Sequence, residues 1–152
     1  MDYPFEEYLV QTFIKRSRRE RLLYELTSKK KRHDGLERFC HQAEEVLDAS
    51  RIIMKGEDLD RRSEFLSFVS KHDEVCYMIS PDPDRDDIVL SLKDAVNAAE
   101  TCLDAIIIIG NGFALVYGEA MKGGRDKFLL TDNGLASETL REMLKKDLKP
   151  RV

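Results

Sequence analysis

Four consecutive isoleucines, followed at once by Gly-Asn-Gly and a second apolar run, constrain this fold more than any other feature. β-branched residues such as Ile106 to Ile109 lose little rotamer freedom on a pleated strand and more in a helix. Gly110-Asn111-Gly112 supplies residue types that tolerate positive φ, which favours a tight hairpin turn. The segment Phe113 to Tyr117 is then predicted to return as a second strand.

This hairpin is predicted to extend into a central meander over residues 104 to 131. Gly123-Gly124 indicates a second reversal of the chain, and Phe128 to Leu130 indicates a third strand. Because the isoleucine run is apolar at every position, we expect a central strand that is covered on both faces. The run is also far shorter than the roughly 18 to 20 residues that a membrane-spanning helix needs.

The part of the chain before the meander has mainly helical periodicity. Amphipathic helices are predicted over residues 4 to 16 and 35 to 48, the second with Asp34 as its N-cap. Ser17 and Glu20 have the spacing of a capping box, so a further helix is predicted to begin at Ser17 unless the first helix continues.

Strands and helices alternate in the rest of the chain. Ser91 is predicted to cap a helix that leads into the meander. The other predicted elements are strands at 51–54 and 74–80 and helices at 58–71 and about 140–145.

These patterns predict a single α+β domain for the 152 residues, with a mixed or antiparallel sheet of about 4–5 strands covered by amphipathic helices. A helical N-terminal part, about 4–48, is expected to pack on a sheet-containing part, about 51–148. A doubly wound parallel sheet remains the alternative, because strand-helix-strand spacing recurs at residues 51–79 and 74–109.

Charge is distributed unevenly along the chain, although the net charge is only −4. Lys15 to His33 contains nine Lys and Arg against two Glu, whereas Glu57 to Glu100 contains twelve acids against five bases. The electric field of such unevenly distributed charge raises association rates and selects partners. The first functional hypothesis is therefore a small non-enzymatic binding protein, of an inhibitor, immunity or adaptor type, that contacts a protein partner or a second copy through charge complementarity.

Two segments are predicted to make that contact, the acidic loop before residue 88 being the preferred one. The predicted acidic contacts are Asp82, Asp84, Asp86 and Asp87. The predicted basic contacts are Lys15, Arg16, Arg18, Arg19, Lys29, Lys30, Lys31 and Arg32.

Two other classes of function stay open. The basic segment 15–32 is an alternative nucleic-acid site, since Lys and Arg neutralise phosphates, although Tyr24 is its one aromatic residue. A thiol hydrolase is the third hypothesis, with Cys76 and His72 or Cys40 and His41 as nucleophile and base.

No cofactor, metal or small-molecule site is predicted. The alternating acids from Asp82 lack the Gly and Glu of a calcium loop at its sixth and twelfth positions, where Asp87 and Lys93 stand. The three cysteines are widely spaced, without the close pairs of zinc sites. Together with an acidic start in place of a basic leader, this favours a cytoplasmic protein with reduced thiols.

Overall fold

The computed structural model describes residues 3–56, 75–118 and 125–132. The helices in these ranges are α1 (Pro4–Phe13), α2 (Arg16–Leu26), α3 (Arg32–His41), α4 (Ala43–Val46) and α5 (Leu92–Thr101), with a 3-10 turn at Ala49–Arg51. The strands are β1 (Ile52–Lys55), β2 (Val75–Ile79), β3 (Ile88–Ser91), β4 (Ile106–Gly110), β5 (Phe113–Tyr117) and β6 (Lys127–Thr131).

The six described strands form one sheet in the order β1-β6-β5-β4-β2-β3, and every pair of neighbours is antiparallel. The α+β prediction is confirmed, and a doubly wound parallel sheet is excluded for these strands. The sheet has more strands than predicted, because Ile88–Ser91 pairs with β2. The segment stands between the acidic loop and the predicted helix cap Ser91, and no strand was predicted there.

The isoleucine strand lies in the centre of the sheet, as predicted, between β5 and β2. Its alternate side chains enter two separate apolar clusters. Ile107 and Ile109 pack in the cluster that contains α1 to α4, whereas Ile106 and Ile108 pack with α5. The sheet is thus covered on both faces, with the N-terminal helices forming one layer and α5 contributing to the other.

The predicted two-residue turn is confirmed at Asn111-Gly112, since Gly110 pairs with Phe113. Gly112 has a φ of 85°, whereas the φ of Asn111 is not positive. Only the second turn position therefore requires glycine. Gly110 has a different role, because a Cβ placed on it would lie 2.1 Å from the ring of Phe113.

The first helix ends earlier than predicted, at Phe13. Ile14 and Lys15 are extended instead, and the Lys15 N–H donates to the Val46 carbonyl while the Asp48 N–H donates to the Phe13 carbonyl. This antiparallel contact is long-range, so helical periodicity did not reveal it. It ties the start of α2 to the end of α4.

The predicted helix starts also need correction. α2 begins at Arg16 after Lys15, without a side-chain cap, so the capping box at Ser17 is not formed. α3 begins at Arg32, which places Asp34 in its first turn and not at its N-cap. The predicted helix 35–48 is interrupted at Gln42. By contrast, Ser91 caps α5 as predicted, its side chain accepting from the Asp94 N–H at 3.1 Å.

Several predictions lie outside the described residues: the helices at 58–71 and 140–145, the Gly123-Gly124 reversal and His72. Within the described part of the chain, no helix combines the length and apolar character needed to cross a membrane.

Candidate binding groove and its charge network

Arg32 joins the predicted basic segment to the predicted acidic loop within one molecule. Its Nε and Nη2 donate to the two carboxylate oxygens of Asp86, at 2.7 and 2.9 Å. Its Nη1 donates to Glu6 Oε2 at 2.8 Å and to the Leu26 carbonyl at 2.9 Å. Burial alone lowers the pKa of Arg32, but the hydrogen bonds and charges of Asp86 and Glu6 outweigh it and raise the pKa.

Tyr77 of β2 extends this network into the sheet. Its hydroxyl oxygen lies 2.5 Å from Asp87 Oδ1 and 3.1 Å from Glu6 Oε2, and its ring stacks on Phe5 at 4.3 Å between centroids. Burial raises the pKa of Tyr77, and the two neighbouring carboxylates raise it further. The backbone of Asp87 has a φ of 59°, a left-handed conformation that few non-glycine residues adopt.

The predicted acidic contact loop is therefore largely engaged by its own molecule. Asp86 binds Arg32, and Asp87 binds Tyr77. Asp82 accepts from the Arg85 side chain at 2.9 Å and from the Asp84 N–H at 3.0 Å. The side chain of Asp84 is exposed.

The predicted basic contacts divide into two groups. Arg32 and the half-buried Arg19 make internal hydrogen bonds, Arg19 through its Nε to the Ile14 carbonyl at 2.9 Å. The other predicted basic residues are exposed: Lys15, Arg16, Arg18, Lys29, Lys30 and Lys31. Lys15, Arg16 and Arg18 lie at the start of α2, whereas Lys29, Lys30 and Lys31 lie in the turn between α2 and α3. Positive charge is therefore exposed at both ends of the helix.

A cavity of about 290 Å³ lies between α2, α3 and α4. We call it the α2–α3 groove. Its apolar lining consists of Leu22, Phe39 and Val46, all of which also belong to the core beneath the helices. Its polar lining consists of Ser17, Arg18, Arg21, Glu25, Arg38 and Gln42.

Glu25 is the one acid in this lining, and its side chain is only 8% exposed. Arg38 Nη1 donates to both of its carboxylate oxygens, at 2.9 and 2.7 Å. Arg21 lies 3.6 Å from Glu25 Oε1 and is 72% exposed. The lining thus holds three guanidinium groups against one buried carboxylate, which leaves a net positive groove.

Arg21 and Arg38 were not among the predicted contact residues. Arg21 was counted in the basic segment without being singled out, and Arg38 lies beyond it on α3. A signal was present, because Glu25 shares the apolar side of α2 with Leu22 and Leu26. A buried carboxylate at such a position requires a cationic partner, and Arg38 supplies it from α3.

The thiols do not form an accessible site in the described residues. Cys76 is fully buried in β2, and Cys40 is 7% exposed. Cys40 and His41 line a smaller cavity of about 50 Å³ with Glu37, Pro81 and Asp104. A nucleophile must reach its substrate, so this geometry does not favour the hydrolase hypothesis.

One group of possible metal ligands occurs in the described part of the chain. His33, Asp34 and Glu37 place one ligand atom each within 4.8 Å of one another, and all three are exposed. His33 Nδ1 lies 2.8 Å from the Pro81 carbonyl oxygen and Nε2 lies 3.2 Å from Glu37 Oε1. Both ring nitrogens of His33 therefore lie close to protein oxygens at the surface.

Comparisons of the chain with protein-family models, with curated proteins and with solved structures found no match.

Proposed function

We propose that this protein is a non-enzymatic binding protein that recognises an acidic protein partner through its N-terminal helical layer. One observation carries the proposal: α2 and its flanking turns expose many cations and very little negative charge. Within residues 15–31 the exposed acid is Glu20, since Glu25 is buried. The exposed bases are Lys15, Arg16, Arg18, Arg21, Lys29, Lys30 and Lys31, which we call the cationic surface.

The cationic surface supports the proposal better than the acidic loop does. Asp86 and Asp87 are already hydrogen-bonded to Arg32 and Tyr77, so an external partner would have to displace those bonds. No such cost applies to the exposed lysines. Dense positive charge on one surface steers an oppositely charged protein during diffusional encounter.

A cytoplasmic location is part of this proposal. All three cysteines are buried, at positions 40, 76 and 102. Wide spacing of buried thiols is typical of proteins from reducing compartments.

The test is affinity capture at low and high salt, with stoichiometry and partner identity read by mass spectrometry. The variant Lys29→Glu/Lys30→Glu/Lys31→Glu removes one end of the cationic surface. Lys93→Glu, on the exposed side of α5, is the control at a distant exposed lysine. We expect wild type and the control to retain an acidic protein that the triple variant loses, with weaker capture at high salt. Recovery of no stoichiometric partner contradicts the proposal, as does equal capture by all three proteins.

Nucleic-acid binding is the second candidate, and the exposed Tyr24 favours it. This ring lies among the basic residues and is 64% exposed, so it is available to stack on a base. If this candidate is right, the material captured by the protein must be lost after nuclease treatment. Direct binding must also weaken linearly with log salt, with a smaller slope for the triple variant.

A further inference from the structure

The α2–α3 groove adds an apolar component to a surface that otherwise offers only charge. Leu22, Phe39 and Val46 line it beside Arg18 and Arg21. Its volume of about 290 Å³ lies just below the ~300–1,000 Å³ typical of ligand pockets. That is space for one or two side chains of a peptide segment.

The charges of the groove specify the occupant. Arg38 is held against Glu25 through Nη1 alone, so this pair is satisfied without the remaining donors of the guanidinium. Arg18 and Arg21 are exposed at the same cavity. Their two positive charges outnumber the single negative charge of the buried Glu25 carboxylate. Guanidinium groups bind carboxylates in bidentate geometry, and burial beside an apolar wall strengthens such bonds.

Contacts on two sides set the frame of the groove. The Ile14–Leu47 bridge and the Lys15–Val46 hydrogen bond hold the start of α2 against the end of α4. On the opposite side, Gly35 allows α3 to approach Glu25 of α2 closely. A frame tied in this way needs little ordering on binding, which lowers the cost of association.

We infer that the α2–α3 groove is the specificity site for an acidic peptide segment that carries an apolar anchor residue. This inference rests on the proposed function and deepens it. The anchor side chain contacts Leu22, Phe39 and Val46, while flanking Asp or Glu side chains bind Arg18 and Arg21. The cationic surface attracts acidic partners in general, whereas the groove selects those with an apolar residue between their acids.

The test is selection of a random peptide library displayed on phage against the folded wild-type protein. We expect enriched peptides to carry Leu, Ile, Met or an aromatic residue flanked by Asp and Glu. Replacement of the anchor by Ser in a selected peptide should weaken binding about tenfold or more, as expected for loss of one buried apolar side chain. Enrichment of basic peptides, or of acidic peptides that keep their affinity without the anchor, overturns the inference.

Blocking variants separate the groove from general electrostatics. Ser17→Trp and Gln42→Trp fill the groove from two sides without changing charge, and both positions are exposed. We expect the affinity of each folded Trp variant for the selected peptide to fall at least tenfold. Lys30→Glu, outside the lining, should reduce this affinity less. Circular dichroism and thermal unfolding establish that each variant is folded.

The outcomes distinguish the groove inference from the proposed function. If both Trp variants bind the peptide like wild type while the charge reversals at Lys29, Lys30 and Lys31 abolish binding, the groove inference fails and the proposed function stands. If the charge reversals also leave binding unchanged, both fail.

Discussion

Gly35 of α3 faces Glu25 of α2 so closely that a Cβ on Gly35 would lie 2.8 Å from the Glu25 Cβ. The same added atom would lie 3.4 Å from Glu25 Oε2, one of the two carboxylate oxygens that accept from Arg38. The Glu25 Cβ is fixed by its backbone and cannot swing aside. This contact therefore sets how closely α2 and α3 approach beneath the groove.

Gly35→Ala is expected to destabilise the protein although alanine favours helix. The gain in helix propensity is about 1 kcal/mol, while overpacking of a tight contact costs about 1–3 kcal/mol. The measurement is urea unfolding, with Asp34→Ala at the neighbouring exposed position as the control. A higher unfolding midpoint for Gly35→Ala than for wild type would show that the helices separate at little cost.

The Arg32–Asp86 pair is expected to couple the helical layer to the loop before β3. In a double-mutant cycle of Arg32→Gln and Asp86→Asn, the coupling free energy should be about 1.5–3 kcal/mol, as for hydrogen bonds between charged groups. High salt should reduce it little, since the Arg32 side chain is 15% exposed. Lys31→Gln, exposed and adjacent, should change stability by no more than about 0.5 kcal/mol. Strictly additive single variants would contradict the role assigned to this pair.

The hairpin turn supports a prediction based on backbone conformation. Gly112→Val should lower the free energy of unfolding by about 1–3 kcal/mol, because a β-branched residue is strained at positive φ. Asn111→Gly should be tolerated, because the turn places no special demand on φ at Asn111 and glycine adds only a modest entropic cost. Urea unfolding of both variants checks this. An unchanged midpoint and slope for Gly112→Val would count against the observed turn.

Alkaline pH should destabilise the protein through two buried tyrosines. Burial raises the pKa of Tyr8 and of Tyr77 above the ordinary value of 10.0, with Asp132 assisting at Tyr8 and Glu6 at Tyr77. Above pH 10 the unfolded chain releases these protons and the folded chain keeps them. Each tyrosine then lowers the free energy of unfolding by up to about 1.4 kcal/mol per pH unit.

The comparison is between wild type and Tyr77→Phe from pH 8 to 11. Below pH 10 the variant should be less stable, because the hydrogen bonds of the hydroxyl are lost. As pH rises above 10 the two proteins should converge, because the variant lacks the group that titrates. Tyr24→Phe, at an exposed position, is the control. Parallel stability curves for wild type and Tyr77→Phe across this range would contradict the prediction.

Local pattern was enough to predict the centre of the sheet. The run Ile106 to Ile109 is apolar on both faces, and this property alone requires cover on both sides of the strand. The Asn111-Gly112 turn follows from residue chemistry in the same way, because few residues adopt positive φ without strain. Both features depend on neighbours within a few positions along the chain.

Contacts between distant segments were not predictable in this way. The break at Ile14 follows from pairing with Leu47, and the strand Ile88–Ser91 exists because β2 offers it a partner edge. Neither partner is adjacent in sequence, so no local periodicity marks the outcome.

The candidate site shows the same division. The sequence by itself determined that the chain carries a basic segment and an acidic loop, since charge depends on residue type alone. Only the tertiary structure decided which charges meet, placing Asp86 against Arg32 and leaving Arg18 exposed beside a groove. The physical reason is that ion pairing and burial depend on distances of a few ångströms, and folding sets those distances between residues that lie far apart along the chain.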